Sequence, residues 1–427
     1  PFILIFSINL NAILADTNNI NAANNLDWIG NLSPLSESDW DINIAKHLLE
    51  RAGFGGTPGE IKKIYELGLI GAVNHLVNYE SINDDFLKEF DESDIHDPGL
   101  VNFPPSRPAT TKLARDTGEA LGIKVKTSGN RKMQPIVNKF FFWLRASMLE
   151  TRRLAYWWAE RMLISPRPLE EKMTLFWHNH FANSEAKVRD YRKLKLQNAT
   201  FRKHATGNFR ELLIATAQDP AMLYFLDAGQ NIKGAPNENF ARELMELFSL
   251  GVNNYTQEDV VAASKAFTGY VTNGVQTNYN FDTMEGWGYW WTDWHDFEDK
   301  TFLGQTGPWT GDDIINIILE QDQCAIHICS RLYKWFVYDF IDESFVSEMA
   351  DILRSNNYEI KPAIEFLFTS DHFHEPTFWG ASISNPNQMI TGTIKRLNME
   401  NQNFPNRFFS DIQYALGMQM FEPPDVN

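Results

Sequence analysis

Cysteine is nearly missing from this chain, with two in 427 residues. That excludes a disulfide-built scaffold. Positive charge is scarce too: Lys and Arg number 38 against 55 Asp and Glu, a net charge of −17. Coating nucleic acid needs clustered Lys and Arg to neutralise phosphates, so nucleic acid is not an expected partner. A basic membrane-surface module is excluded on the same ground. Beyond the opening segment no apolar run approaches the ~18 residues of a membrane-spanning helix, so no transmembrane span is expected. Familiar motifs are missing as well. There is no Gly-x-Gly-x-x-Gly after a strand, no phosphate-loop lysine, no His-Glu-x-x-His and no Gly-x-Ser-x-Gly. Nucleotide-binding, zincin and serine-hydrolase readings therefore lose their usual support.

What is present is core material. Hydrophobic residues make up 43% and aromatics 13%, ample for a large folded interior. Periodicity is helical almost throughout. Helices are expected from Asp41 to Arg51, from a capping box at Thr57-Pro-Gly-Glu60, and from Pro135 to about Ile164, followed by a new start at Pro168. More follow near 189–206, 207–217, 236–250, 256–267, 312–321, 323–340, 343–355 and 360–369. The fold class is mostly α: one large helical domain over 41–427, with a short β-hairpin or irregular excursion around 269–310. Asn273-Gly274 carries the hairpin signal there. Residues 91–132 form a polar stretch whose basic run (Arg107 to Lys132) reads as a solvated loop. Cys324 and Cys329 sit five apart in a helical pattern and read as small core residues.

The opening Pro1-Phe-Ile-Leu-Ile-Phe6 is apolar to Ala15 and then polar. This reads as the remnant of a secretory signal with cleavage after Ala15. Residues 16–40 read as a loose lead-in, and the closing Phe421-Glu-Pro-Pro-Asp-Val-Asn427 as a truncated C-terminus.

Three segments carry candidate chemistry. The first is Phe176-Trp-His178-Asn-His180-Phe181. On one helix His178 is turned about 200° from His180, so an uninterrupted helix cannot offer both to one metal. Buried, hydrogen-bonded histidines are the alternative. The second is Gly234-Ala-Pro-Asn237-Glu-Asn239-Phe-Ala-Arg242-Glu243-Leu-Met-Glu246-Leu-Phe-Ser-Leu-Gly251. Asn239, Glu243 and Glu246 share one stripe, and Arg242 reaches Glu238 and Glu246 at four-residue spacing. Two carboxylates and an amide suit a divalent cation or acid–base work, and an ion-paired helix flank is the alternative. The third is His295-Asp296-x-x-x-Lys300-Thr-Phe-Leu-Gly304, after an aromatic run containing Trp287, Trp290 and Trp294. Such rings stack on sugars or hold a loop down.

These segments, with Tyr255-Thr-Gln-Glu-Asp-Val260 and Ala266-Phe-Thr-Gly269, resemble the bacterial domain-of-unknown-function 1800 family from about Ala45 onward. The resemblance implies a secreted or periplasmic bacterial protein, often encoded beside a sulfatase-like companion. It supplies no activity. Two functions are therefore expected as alternatives. One is an extracytoplasmic metal-dependent hydrolase of polysaccharide or another polymer. In it His178, His180, Glu243 and His295 ligate a divalent transition metal, and Glu246 or Asp296 is the base. Arg242 orients an anionic group, Asn237 and Asn239 hold substrate, and Trp287, Trp290 and Trp294 form the platform. The other is a non-catalytic envelope protein that binds glycan or a partner, with the polar segments serving as internal hydrogen-bond networks.

Overall fold

A computed structural model describes residues 32–91, 134–271, 289–399, 402, 404 and 408–422. The signal remnant, the basic run, the Asn273-Gly274 turn and Trp287 lie outside the described residues.

The described residues are mostly α-helical. The first helices are α1 (Ile42–Ala52), α2 (Pro58–Glu66) and α3 (Gly68–Val77). α2 starts with the expected box: Thr57 Oγ1 accepts from Glu60 N, and Glu60 Oε2 accepts from Thr57 N. The longest helix, α4 (Gln134–Ile164), leads to α5 (Pro168–His180), α6 (Glu185–Val188) and α7 (Tyr191–Lys203). Then come α8 (Phe209–Ala217), α9 (Pro220–Phe225) and α10 (Asn239–Glu243), the last running into a π-helix over Leu244–Ser249. α11 (Gln257–Ala266) precedes two small antiparallel ribbons. β1 (Tyr270–Val271) pairs with β2 (Tyr289–Trp290), and β3 (Lys300–Phe302) with β4 (Gln305–Gly307). These strands are the β excursion. The chain closes with α12 (Gly311–Leu319), α13 (Asp322–Phe336), α14 (Glu343–Ser355), α15 (Ile360–Thr369), α16 (Asp371–His374), α17 (Pro386–Arg396) and α18 (Phe408–Ala415).

The described residues form two hydrophobic cores. The larger gathers α1, α3, α8 and α11 to α15. The smaller gathers Leu154, Trp158 and Met162 of α4, Tyr191 and Leu194 of α7, Ile390 of α17, and Met420 and Phe421. Helix α5 lies between them. Met173, Phe176 and Trp177 face the first core and Leu175 the second. A helix buried on every side has no solvated flank for its ions, so Glu171 needs internal partners. It accepts from Arg161 Nε (2.8 Å), Arg202 Nη2 (3.0 Å) and Trp158 Nε1 (3.0 Å). Those guanidinium groups hold its carboxyl below the usual carboxylate range despite burial. Its neighbour Lys172 has Nζ over the rings of Phe54 and Trp335, each at 5.3 Å.

The described part of the lead-in is pinned rather than loose. Leu35 N donates to Thr369 O, Asp371 N to Ser33 O, and Trp40 Nε1 to Tyr65 O. Buried Leu35 and Trp40 supply the apolar contact that a polar composition hid. Cys324 and Cys329 are buried free thiols in α13.

Candidate functional site

The helix expected over 236–250 forms, but its second half widens into the π-helix. An i→i+5 turn leaves carbonyls without their α-helical donors. Two histidines supply the missing protons. His327 Nε2 lies 3.0 Å from Leu247 O, and His180 Nε2 lies 3.1 Å from Phe248 O. A carbonyl can only accept, so each ring donates from Nε2. The two rings are 6.3 Å apart. Burial pushes His180 well below the usual imidazole range, so the ring is neutral. Ser249 Oγ donates to Leu244 O, and Leu250 N and Gly251 N both donate to Met245 O. Gly251 closes the turn at φ +80°, and a Cβ there would lie 3.0 Å from His327 Nδ1.

His178 faces the other core. α5 runs unbroken to His180, so the turn of about 200° separates the two rings. His178 Nε2 accepts from Phe421 N at 3.2 Å and packs edge-on against Trp158 and Phe421. Burial lowers its pKa to about 4.

The acidic stripe lies on the flank of this helix. Tyr255 Oη donates to Glu246 Oε2 at 2.6 Å. Burial and the neighbouring Glu246 raise the Glu243 carboxyl above its usual range. Arg242 pairs with Glu238 at 3.2 Å and with Gln257 Oε1 at 2.8 Å. Its second partner is thus Gln257, at the start of α11, in place of the expected Glu246, which Tyr255 holds. Asn237 is tied to neighbouring backbone and side chains. Its N donates to Asn231 Oδ1, and its Oδ1 accepts from Asn239 N, leaving the Asn239 side chain exposed.

The third segment is locked onto Thr268-Gly269. Buried His295 donates from Nδ1 to Thr268 O at 2.9 Å, and Asp296 N donates to Thr268 Oγ1 at 2.8 Å. Asp296 Oδ1 accepts from Glu298 N. Lys300 Nζ donates to the carbonyls of Asp296 and Glu298. Gly269 sits at φ +91°, and a Cβ there would meet Trp291 O at 2.7 Å. Only glycine lets the strands approach this closely. Over this lock lie the aromatics. Trp290 is 41% exposed and Phe297 57% exposed, with ring centres 6.2 Å apart. Both rest edge-on against His295, while Trp291 and Trp294 stack at 5.3 Å.

The three segments therefore do not gather their side chains at one point: His180 is bonded to the π-helix of the second segment, His178 faces the other core, and His295 is locked onto Thr268. Among the described residues, no group of three or more His, Cys, Asp or Glu side chains is placed to hold a metal ion.

One feature escaped the sequence reading. A cleft of about 410 Å³ opens between α4, α6 and the chain around α18. Met148, Arg152, Glu185, Tyr414, Met420 and Glu422 line it. Met148 of α4 is exposed at this cleft. Desolvation, with Glu422 nearby, raises the Glu185 carboxyl to about 7. Nothing in the local spacing relates Arg152, Glu185 and Glu422, because tertiary packing alone joins them.

Residues 47–427 match the model of a family described as a protein of unknown function (DUF1800). The chain belongs to that family. No curated protein and no solved structure matches it.

Proposed function

We propose that this member of the DUF1800 family is a non-catalytic binding protein of the bacterial envelope, secreted or periplasmic. Its ligand is a glycan, seated on the aromatic surface at Trp290 and Phe297. The observation that carries this reading is the pairing of exposure with rigidity. Two large rings stand partly exposed side by side, on a loop fixed by His295, Asp296 and Lys300. Two exposed rings side by side offer a ligand an apolar face that need not first be ordered from a mobile loop. Tryptophan faces pack well on sugar rings because they combine an apolar body with a polar edge. The polar segments have the other role expected of such a protein, as hydrogen-bond networks that fix the helices. The extracytoplasmic location rests on the apolar opening to Ala15 and on the family resemblance.

One observation favours acid–base chemistry instead. Glu243 is raised beside Glu246, as a general acid would be. That supports a polymer hydrolase only if a metal or water can be activated beside the stripe. Pull-down of the chain on insoluble polysaccharides decides between the readings. Retention lost in Trp290→Ala and in Phe297→Ala, without release of reducing ends, supports binding. Product release that depends on Glu243 supports the hydrolase. The sulfatase-like companion is a further candidate partner, tested by co-purification.

A further inference from the structure

The cleft between α4, α6 and the chain around α18 holds two opposite charges that act on each other through space without touching. Glu185 is only 8% exposed, yet its carboxylate makes no hydrogen bond and no ion pair with any described residue. Arg152, half-buried on the facing helix, likewise has neither with any described residue. Glu422 is already engaged. Its Oε2 accepts from Ser184 Oγ at 2.9 Å and its Oε1 from Ala186 N at 2.7 Å. The remaining walls are mixed: Met148, Met420 and the ring of Tyr414 are apolar, and Thr151 and Gln419 are polar.

Glu185 is largely enclosed, but its carboxylate oxygens are not among the buried atoms left without a partner, so they face the open cleft. A carboxylate held in a partly dry cleft without a hydrogen bond is disfavoured in its charged form and gains from a donor. A guanidinium in the same cleft that stays beyond ion-pair reach leaves a gap with one charge on each side. A ligand fits that gap if it carries an ammonium for Glu185, a carboxylate for Arg152 and an apolar body for the methionines. The volume lies in the range of small-molecule sites, about 300–1,000 Å³. We infer that this cleft binds a free amino acid, or a short peptide with an equivalent zwitterionic end, through Glu185 and Arg152. The site is independent of the aromatic surface, which lies on a different part of the chain.

Binding also has a proton signature. An ammonium seated on Glu185 favours its ionised form. Glu422, Arg189 and Arg152 are the charges acting on it, and the folded free protein holds it at about 7. Affinity therefore rises as pH rises through that value.

The test screens the twenty common L-amino acids, each at about 10 mM, by thermal shift, since a ligand of the native state raises Tm. Titration calorimetry follows on the best responder. The expected result is saturable binding of an amino acid with an apolar side chain. N-acetylation of that amino acid, or amidation of its carboxylate, weakens binding by about tenfold or more, as losing one charge-assisted contact should. Glu185→Gln and Arg152→Gln each weaken it similarly, and Glu185→Gln also flattens the pH dependence. Trp290→Ala leaves it unchanged, so its result is separate from the glycan assay. Absence of any binder in the screen overturns the inference. So does binding indifferent to both Glu185→Gln and Arg152→Gln in variants that keep the parent's unfolding transition.

Discussion

Helix α5 and the cleft beside α6 treat buried charge in opposite ways. On α5, Glu171 is fully enclosed and every lone pair faces a donor from Arg161, Arg202 or Trp158. In the cleft, Glu185 is nearly as buried and has no such donor. The same contrast separates the histidines from the arginine. His178, His180, His295 and His327 each spend a ring nitrogen on a main-chain group, while Arg152 spends none of its protons on described residues. The histidines hold main-chain groups with one nitrogen each, while His180 Nδ1 and His295 Nε2 stay buried without a partner. The carboxylate of Glu185 instead faces an open cleft, where a ligand has room to act.

The largest expected effect tests the paired side. Glu171→Ala strands two guanidinium groups, and breaking a buried ion pair this way costs about 3–5 kcal/mol. Urea unfolding measures it. Glu185→Ala should cost little or stabilise, because burial and Glu422 disfavour its charge and no hydrogen bond is lost. Equal losses in the two variants would erase the distinction.

Next comes His180→Ala. It removes the donor to Phe248 O and a ring stacked on Phe176. The cost is about 2–4 kcal/mol, with earlier amide exchange over Leu244–Ser249. An unchanged exchange pattern would mean that the π-helix does not depend on the histidine.

The pH dependence sharpens the contrast through its sign. His178 is lowered to about 4, so the unfolded chain binds its proton first. The stability it contributes is full above the unfolded value of 6.5 and is lost as pH falls toward about 4. Glu185 is raised to about 7, so the folded chain binds its proton first. Its effect is opposite: stability falls as pH climbs from 4.5 through about 7. Glu185→Gln should remove the second slope and keep the first, as read from unfolding midpoints between pH 4 and pH 8.

The smallest effect belongs to Arg242→Ala. The Arg242–Glu238 pair is 39% exposed on both sides, and exposed pairs contribute about 0–1 kcal/mol. A larger loss would show that the polar flank of α10 bears on stability after all.

Much of this was legible in the sequence, for local reasons. Thr57 and Glu60 announce a helix start because they satisfy each other's backbone amides. His178 and His180 had to diverge because one helix turns about 100° per residue. The dispersal of the polar segments was not legible. Asn239, Glu243 and Glu246 share a stripe, but only tertiary packing gives Glu246 to Tyr255 and Arg242 to Gln257. The π-helix was invisible for the same reason, since His180 and His327 that sustain it come from two distant helices. Residues 32–40 looked loose because Leu35 and Trp40 are isolated among polar residues.

Elemental mass spectrometry on the purified chain, with His178→Ala and Glu243→Ala in parallel, tests the central claim most directly. If the histidines are structural donors and acceptors, no transition metal accompanies the protein in stoichiometric amount, and His178→Ala lowers only stability. About one equivalent of metal per chain, lost in both variants, would contradict the account and place a metal centre where it sees a scaffold.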